Sequence, residues 1–398
     1  MRRLFAEGDG PLETDMPPIP GVSTATTAFV GRTREGAVNA PGLVNSFAEF
    51  ERSYGGLWTE SPMTFAVRHF FENGGAQAVI VRVVAGALTG SASETADTGG
   101  PISNRDILGS KGDKTGLYAL LDCDIFNLLC LPPPAPNVAT DTATWTEAAE
   151  FCQQQRAMLI VDAPPDAPSV VRNTGPACVS NTEWRKNAAL FYPRVRATNP
   201  LSPTNAVEEF VPCGAVAGLF ARTDGTRGVW KAPAGIDSRL SVSGLSASLT
   251  DVQNSDLNSR GINCLRTLPG SGTVSWGART MDGADSAASE WKYIPVRRTA
   301  LYIEESVKRG LVWSVVEPNA EPLWARVRLD VGAFMQGLFR QGAFAGTTPR
   351  EAYFVKVDAD TTRQADIESG VMNVLIGFAP LKRSEFVTLT VRKKTAPA

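Results

Sequence analysis

The sequence predicts an α/β fold of mixed α+β character. Three observations carry this. β-branched and apolar runs such as Met158–Asp162 and Ala188–Tyr192 alternate with helical patterns through the first half of the chain. A long amphipathic stripe covers residues 320–341. Strand patterns close the chain at 354–357, 373–378 and 385–391. At 398 residues the chain exceeds what one hydrophobic core ordinarily supports, so more than one domain is expected.

Residues 1–20 are polar, Pro-rich and aperiodic and read as an extended arm, with a reach of about 60 Å at roughly 3.3 Å per residue. An α/β region over 21–220 follows. It opens with a strand at 26–31 and a helix at 46–52, for which Ser46 and Glu49 form a capping-box pattern. Phe65, His69 and Phe70 lie at helical spacing ahead of Asn73-Gly74-Gly75, and 77–84 is a β-branched strand. Residues 86–113 are Gly/Ser/Thr/Asp-rich and read as a surface loop, and 145–157 as a helix. The stretch 221–290 is polar and reads as a connecting region. Residues 291–398 form a C-terminal domain. Within it 311–316 reads as a strand, and Glu317-Pro318-Asn319 breaks it ahead of the helix at 320–341. Leu323, Trp324, Val327, Val331, Phe334, Leu338 and Phe339 form the stripe of that helix, and Arg326, Asp330 and Arg340 fall off it.

Composition narrows the function. A formal net charge of −2 supplies no global field for nucleic acid or an anionic membrane. No apolar run approaches the roughly 20 residues of a membrane helix, and no secretory signal is visible, so a cytoplasmic protein is expected. The six cysteines (Cys123, Cys130, Cys152, Cys178, Cys213, Cys264) include no Cys-x-x-Cys pair and sit mostly in apolar runs. They read as buried thiols, with one or two disulfides as the other reading. The lone histidine, His69, has apolar neighbours and reads as structural. Residues 109–116 look like a P-loop but carry Asp113 where that motif needs Gly before Lys114. Glu304 and Glu305 read as a solvated face. No catalytic, metal-binding or cofactor-binding constellation emerges, and the chain reads as a non-enzyme.

Several motifs, taken in order, carry a family resemblance. Early in the chain these are Pro20-Gly21-Val22, Phe29-Val30-Gly31, Tyr54-Gly55-Gly56 and His69-Phe70-Phe71-Glu72-Asn73-Gly74-Gly75. In mid-chain they are Ala221-Arg222-Thr223-Asp224 and Arg227-Gly228-Val229-Trp230-Lys231-Ala232-Pro233-Ala234-Gly235. Later come Trp276-Gly277-Ala278-Arg279-Thr280, Trp291-Lys292-Tyr293-Ile294-Pro295-Val296-Arg297-Arg298, Glu317-Pro318-Asn319 and Ile376-Gly377-Phe378-Ala379-Pro380. Together they resemble contractile tail sheath proteins of phages and extracellular contractile injection systems. The resemblance implies a conserved sheath domain built from N- and C-terminal parts, with an inserted outer region and extended arms. It also implies a structural subunit that stacks in hexameric rings around an inner tube and contracts to drive that tube through a target envelope.

Implied partners are other copies of the chain, the inner tube protein, and baseplate and terminator or cap proteins, without nucleic acid or membrane insertion. Implied location is the cytoplasm of the producing bacterial cell, then an assembled tail or injection particle. By the resemblance, Glu385, Phe386, Val387, Thr388, Leu389, Thr390 and Val391 form the strand exchanged between subunits, with 311–316 and 354–357 as accepting strands. The helix 320–341 is the face near the tube, with Arg326, Asp330 and Arg340 as polar contacts. The strand motif of Ser-Pro-Gly-Val-Tyr type that opens many relatives does not occur in residues 1–20, which leaves exchange by the N-terminal arm open. Two other readings stand beside this one: another tail or baseplate structural protein, and an α/β enzyme with an unrecognised site.

Overall fold

The computed structural model describes residues 19–86, 100–136, 138–381 and 386–396. The chain begins with β1 (Thr27–Gly31), β2 (Gly42–Val44), α1 (Phe47–Tyr54), α2 (Pro62–Glu72), β3 (Ala78–Arg82) and α3 (Asn104–Leu108). Next are β4 (Leu128–Cys130), α4 (Thr142–Gln155), β5 (Met158–Asp162), α5 (Pro168–Thr174), β6 (Ala188–Tyr192), β7 (Val195–Thr198), β8 (Val207–Phe210) and α6 (Cys213–Arg227). Then come β9 (Gly244–Leu245), α7 (Asp251–Ser259), β10 (Ile262–Leu268), β11 (Gly272–Ser275), α8 (Ile294–Gly310) and α9 (Glu321–Arg340). The last elements are α10 (Pro349–Ala352), β12 (Tyr353–Lys356), α11 (Gln364–Glu368), β13 (Val371–Phe378) and β14 (Val387–Lys394). Proline occupies the first turn of α2, α5, α8, α9 and α10, where its missing N–H costs nothing.

The central domain is an eight-stranded sheet in the order β11-β10-β6-β5-β4-β1-β3-β2. The run from β10 to β3 is parallel, and β2 and β11 close the edges antiparallel. Alternate residues of each strand feed different cores. Ala28, Val30, Leu129, Leu159 and Val161 pack on the face covered by α3, α4, α5 and α7. Phe29, Ile80, Leu128, Ile160 and Phe191 pack on the face covered by α1, α2 and α6. Helix α6 lies directly on α2 because Gly214 and Gly218 have no side chain. A Cβ at Gly214 would stand 2.0 Å from the Ala66 carbonyl oxygen, and one at Gly218 would stand 2.3 Å from that of Phe70. A third core joins α8, α9 and the separate sheet β12-β13-β14.

Several sequence expectations change here. The 311–316 run is not a strand: α8 continues to Gly310 and Val312–Val316 is a 3₁₀ turn. Leu311 and Ser314 are buried with Ser314 Oγ donating to the Leu311 carbonyl, while Val312, Val315 and Val316 face out. The spacing of buried positions is three, not two, and tertiary packing overrides the β-branched composition. This removes 311–316 as an accepting strand. The polar 221–290 stretch is more than a connector, because it supplies α7 and strands β10 and β11 of the central sheet. The 86–113 loop contains α3, capped reciprocally by Ser103 and Asp106, while 87–99 and the arm residues 1–18 lie outside the described residues. At α1 the Ser46 hydroxyl accepts from the Glu49 amide as expected, but Glu49 returns its bond to the Asn45 amide.

All six cysteines are free, five of them buried and Cys123 half-buried. His69 is buried beside Phe210, and burial lowers its pKa to about 4, which keeps the ring neutral. Asp162, at the end of β5, accepts from the Cys213 amide at 2.8 Å. Burial lifts its carboxyl to about 7, against the opposing effects of the Cys213 donors and the Arg194 charge. A carboxyl raised on folding binds more protons in the native than in the unfolded state between about pH 4 and 7, so its contribution to stability is lost as pH rises through that window. Asp162→Asn should therefore gain thermal stability relative to the native chain at pH 8 and little at pH 5. Melting curves at the two pH values check this, and equal differences would show that burial of Asp162 is not the cause.

Candidate assembly site: the C-terminal sheet and its helices

The C-terminal module is built on α9. Leu323, Trp324, Val327, Val331, Phe334, Met335 and Leu338 are buried, and they pack with the inward residues of β13 and β14. The indole N–H of Trp324 donates to Asn319 Oδ1 at 2.8 Å, and Asn319 Nδ2 donates to the Val371 carbonyl at 3.0 Å. The Glu317-Pro318-Asn319 break thus seats the start of the helix on the sheet. Arg328 extends from α9 to the Val357 carbonyl and to Glu321.

The three polar residues expected to face outward are not equivalent. The Arg326 guanidinium stacks on the Trp313 ring at 4.3 Å. Asp330 is half-buried one turn on, and desolvation raises its pKa while the Arg326 charge opposes the rise. Arg340 is exposed at the far end, about 15 Å away at 1.5 Å per residue. Between them the exposed face carries Ala325, Leu329 and Ala333. Leu329 is 63% exposed, and sequence reasoning passed over it because it lies off the core stripe.

Strand β14 begins two residues later than expected; Phe386 precedes it and Glu385 lies outside the described residues. It pairs antiparallel with β13 of the same chain along its full length, from Phe378↔Val387 to Val371↔Lys394. Val387, Leu389 and Val391 point into the core and Thr388, Thr390 and Arg392 point out. The far end of β14 is partly closed by a bridge between Pro318 and Ala396. On the other side, β12 pairs only with β13 among the described residues, so its outer edge is open. Phe354 of β12 covers Gly377, where a Cβ would lie 2.1 Å from the ring, and packs on Phe386 at 5.6 Å.

Helix α8 joins this module to the amino-terminal ends of the central strands. Its apolar side, including Val296, Ala300, Ile303 and Val307, belongs to the third core. Its polar side grips the sheet. Arg298 forms a two-pronged pair with Asp224 of α6 at 2.6 and 2.9 Å, with both side chains only 3% exposed, and also donates to the Thr24 carbonyl at 2.7 Å. Arg297 donates to Asn187 Oδ1, Arg309 binds Asp124 at 3.0 Å, and Glu305 receives both Arg309 and Arg156. Glu304 and Glu305 therefore form no solvated face. The sequence motifs containing Asp224 and Arg298 were both noted, but their pairing across 74 positions was not legible.

No helix among the described residues is long and apolar enough to cross a membrane, and none of their His, Cys, Asp and Glu side chains form a group of three or more fit to hold a metal ion. The class defined is an α/β protein with an appended module whose small sheet has one open edge. Residues 100–281 match the phage tail sheath protein central domain, and 286–394 match the phage tail sheath C-terminal domain. The tail sheath protein of Enterobacteria phage T4 is 27% identical over 190 residues, which are 46% of this chain and 27% of that protein. The helical sheath of the anti-feeding prophage in its contracted state matches with TM-score 0.70 and 29% identity over 97% of both chains. A chain of the anti-feeding prophage baseplate matches with TM-score 0.70 and 27% identity over 98% of both. The PVC sheath complex, an extracellular contractile injection system in the contracted state, shares the fold at TM-score 0.68 and 24% identity over 97% of this chain and 98% of that one. The chain belongs to the contractile tail sheath family.

The Arg298–Asp224 pair gives a direct expectation. Asp224→Ala strands a buried guanidinium and should cost about 3–5 kcal/mol, whereas Asp224→Leu combined with Arg298→Met should recover most of that loss. Denaturant titration of the unassembled chain measures both. A double variant no better than the single one would mean that the contact of Arg298 with Thr24, not the ion pair, dominates.

Proposed function

We propose that this chain is the building unit of a contractile sheath, polymerising as stacked hexameric rings around an inner tube and contracting to drive that tube through a target envelope. The observation that carries this reading is the near-complete match to a contracted helical sheath, combined with the open edge of β12. An unpaired strand edge is a template for another chain's backbone. Baseplate and cap proteins are the further partners of the assembly, with the baseplate contact supported by the match to an anti-feeding prophage baseplate chain.

Within the assembly, we infer that β14 is the exchanged strand. Val387, Thr388, Leu389, Thr390 and Val391 pair with β13 of their own chain in the structure, and an identical strand from a second copy can make the same backbone bonds in the same register. Leu375 and Thr390 are register partners on the outward side of that pairing. In a variant carrying Leu375→Cys and Thr390→Cys, oxidation of assembled sheaths should give a ladder of covalently linked chains on a non-reducing gel. Oxidation of free chains should give monomers. A monomer band alone from assembled sheaths would refute exchange of β14.

The outward face of α9 is the proposed tube contact. Arg326 and Asp330 at one end and Arg340 at the other frame the apolar strip of Ala325, Leu329 and Ala333. Arg340 and Leu329 are the exposed members, so they test the contact without disturbing the core. Leu329→Asp with Arg340→Glu should abolish co-sedimentation of sheath with tube while leaving the fold unchanged by circular dichroism. Undiminished co-assembly would place the tube contact elsewhere.

A further inference from the structure

A second site lies at the opposite end of the central sheet from α8. The chain enters the sheet at β1, passes to β3 on one side and to β4 on the other, so the strand order reverses at β1. In doubly wound sheets ligands bind outside the carboxyl ends of the strands near such a point. Here a cavity of about 50 Å³ sits over the ends of β4, β5 and β6, lined by Pro133, Thr140, Trp145, Asp162, Cys178 and Arg194. That volume accommodates a few water-sized groups.

Its polar atoms are unusual. Asp162 is 93% buried: Oδ1 accepts from the Cys213 amide, while Oδ2 is withdrawn from solvent without a hydrogen-bond partner in the protein. Arg194 Nε and the hydroxyls of Thr140 and Thr144 are likewise buried and unpartnered. Four such atoms around one small space are more than chance leaves in a folded protein, where nearly all buried polar groups are satisfied. The amino termini of α4, with Asp141 as cap, and of α6, which begins at Cys213, both end here. Aligned helix dipoles place partial positive charge at such ends. In the adjoining cleft the acidic residues are already engaged, Glu208 by Asn199 and Glu209 by Arg196.

We propose that this cavity binds a small oxyanion, with Arg194 and the two helix amino termini supplying positive potential, the threonine hydroxyls donating hydrogen bonds, and Asp162 in its neutral form donating its O–H. Burial makes that neutral form accessible near pH 7. Inorganic phosphate and formate share the required chemistry and differ in shape, so both serve as probes. The site is independent of the sheath assignment, because it uses neither the C-terminal sheet nor α9.

The test is thermal unfolding of the purified full chain in phosphate or formate against chloride at matched ionic strength. A saturable rise in melting temperature is expected with at least one of the two, and the one that acts identifies a tetrahedral or a planar ligand. Arg194→Gln should weaken the midpoint by about tenfold or more, since a charge-assisted hydrogen bond is lost. Asp162→Asn keeps an N–H donor and should retain the effect. If Arg194→Gln fails to fold, Arg194→Lys keeps the charge, removes the Nε–H and should also weaken the midpoint. No saturable rise with either anion, or an equal rise in a folded Arg194 variant, would mean that buried water alone satisfies these atoms and would overturn the proposal.

Discussion

Arg298 and Asp224 have almost no access to water, and each would be costly to bury alone. Their pairing, with the Thr24 carbonyl as third partner, sets α8 across the amino-terminal ends of the central strands. Everything C-terminal to α8 is placed by that contact, because the other side of the same helix is the wall on which the third core packs. The ion pair is thus less a source of stability than a specification of geometry. A pivot between the module and the sheet would expose two charges to each other's absence, so the two cores behave as one body. Compliance must lie where the chain has spare backbone bonds, at the edges of the β12-β13-β14 sheet.

The central sheet explains why the module sits where it does. Both faces of its parallel strands are covered by helices, which leaves only the two ends of the strands for further contacts. The amino-terminal end is taken by α8. The carboxyl end holds the Asp162–Arg194 cavity under the start of α4 and α6. One sheet therefore presents an end committed to architecture and an end with unsatisfied polar atoms. This is the usual division of labour in doubly wound folds, even within a family whose similar structures are sheath assemblies.

Legibility in the sequence followed the locality of the determining interaction. Met158–Asp162 and Ala188–Tyr192 are strands with the bounds read from the sequence, because a continuous apolar run buried on both faces has few other solutions. The α9 stripe was equally plain, its period being a property of the helix itself. The 311–316 run was misread because Val312, Val315 and Val316 are hydrophobic yet exposed, so composition pointed one way and packing another. Strand β10 was hidden for the opposite reason. Asn263 lies in its centre, fully buried, with its amide donating to the carbonyls of Leu190 and Arg279, and a polar residue there masks the strand pattern. The Arg298–Asp224 contact had no local signature at all; both motifs were visible, but only the fold brings them together.

The terminal strand poses the sharper physical question: how a segment can be closed within its own chain and still serve as the link between chains. The β13–β14 ladder spans eight residue pairs and buries Val387, Leu389 and Val391, interactions that depend on sequence and register but not on which copy supplies the strand. The two arrangements therefore differ chiefly in the cost of tethering and in local concentration. For a free chain the short connection from Phe378 to Val387 makes self-closure the cheaper route. In a ring, a neighbour's strand is held at high effective concentration, and one new intersubunit interface contact is enough to tip a balance whose main terms cancel. The open edge of β12 belongs to the same logic. It offers backbone groups that no segment among the described residues satisfies, so the sheet gains from association even before any strand changes place.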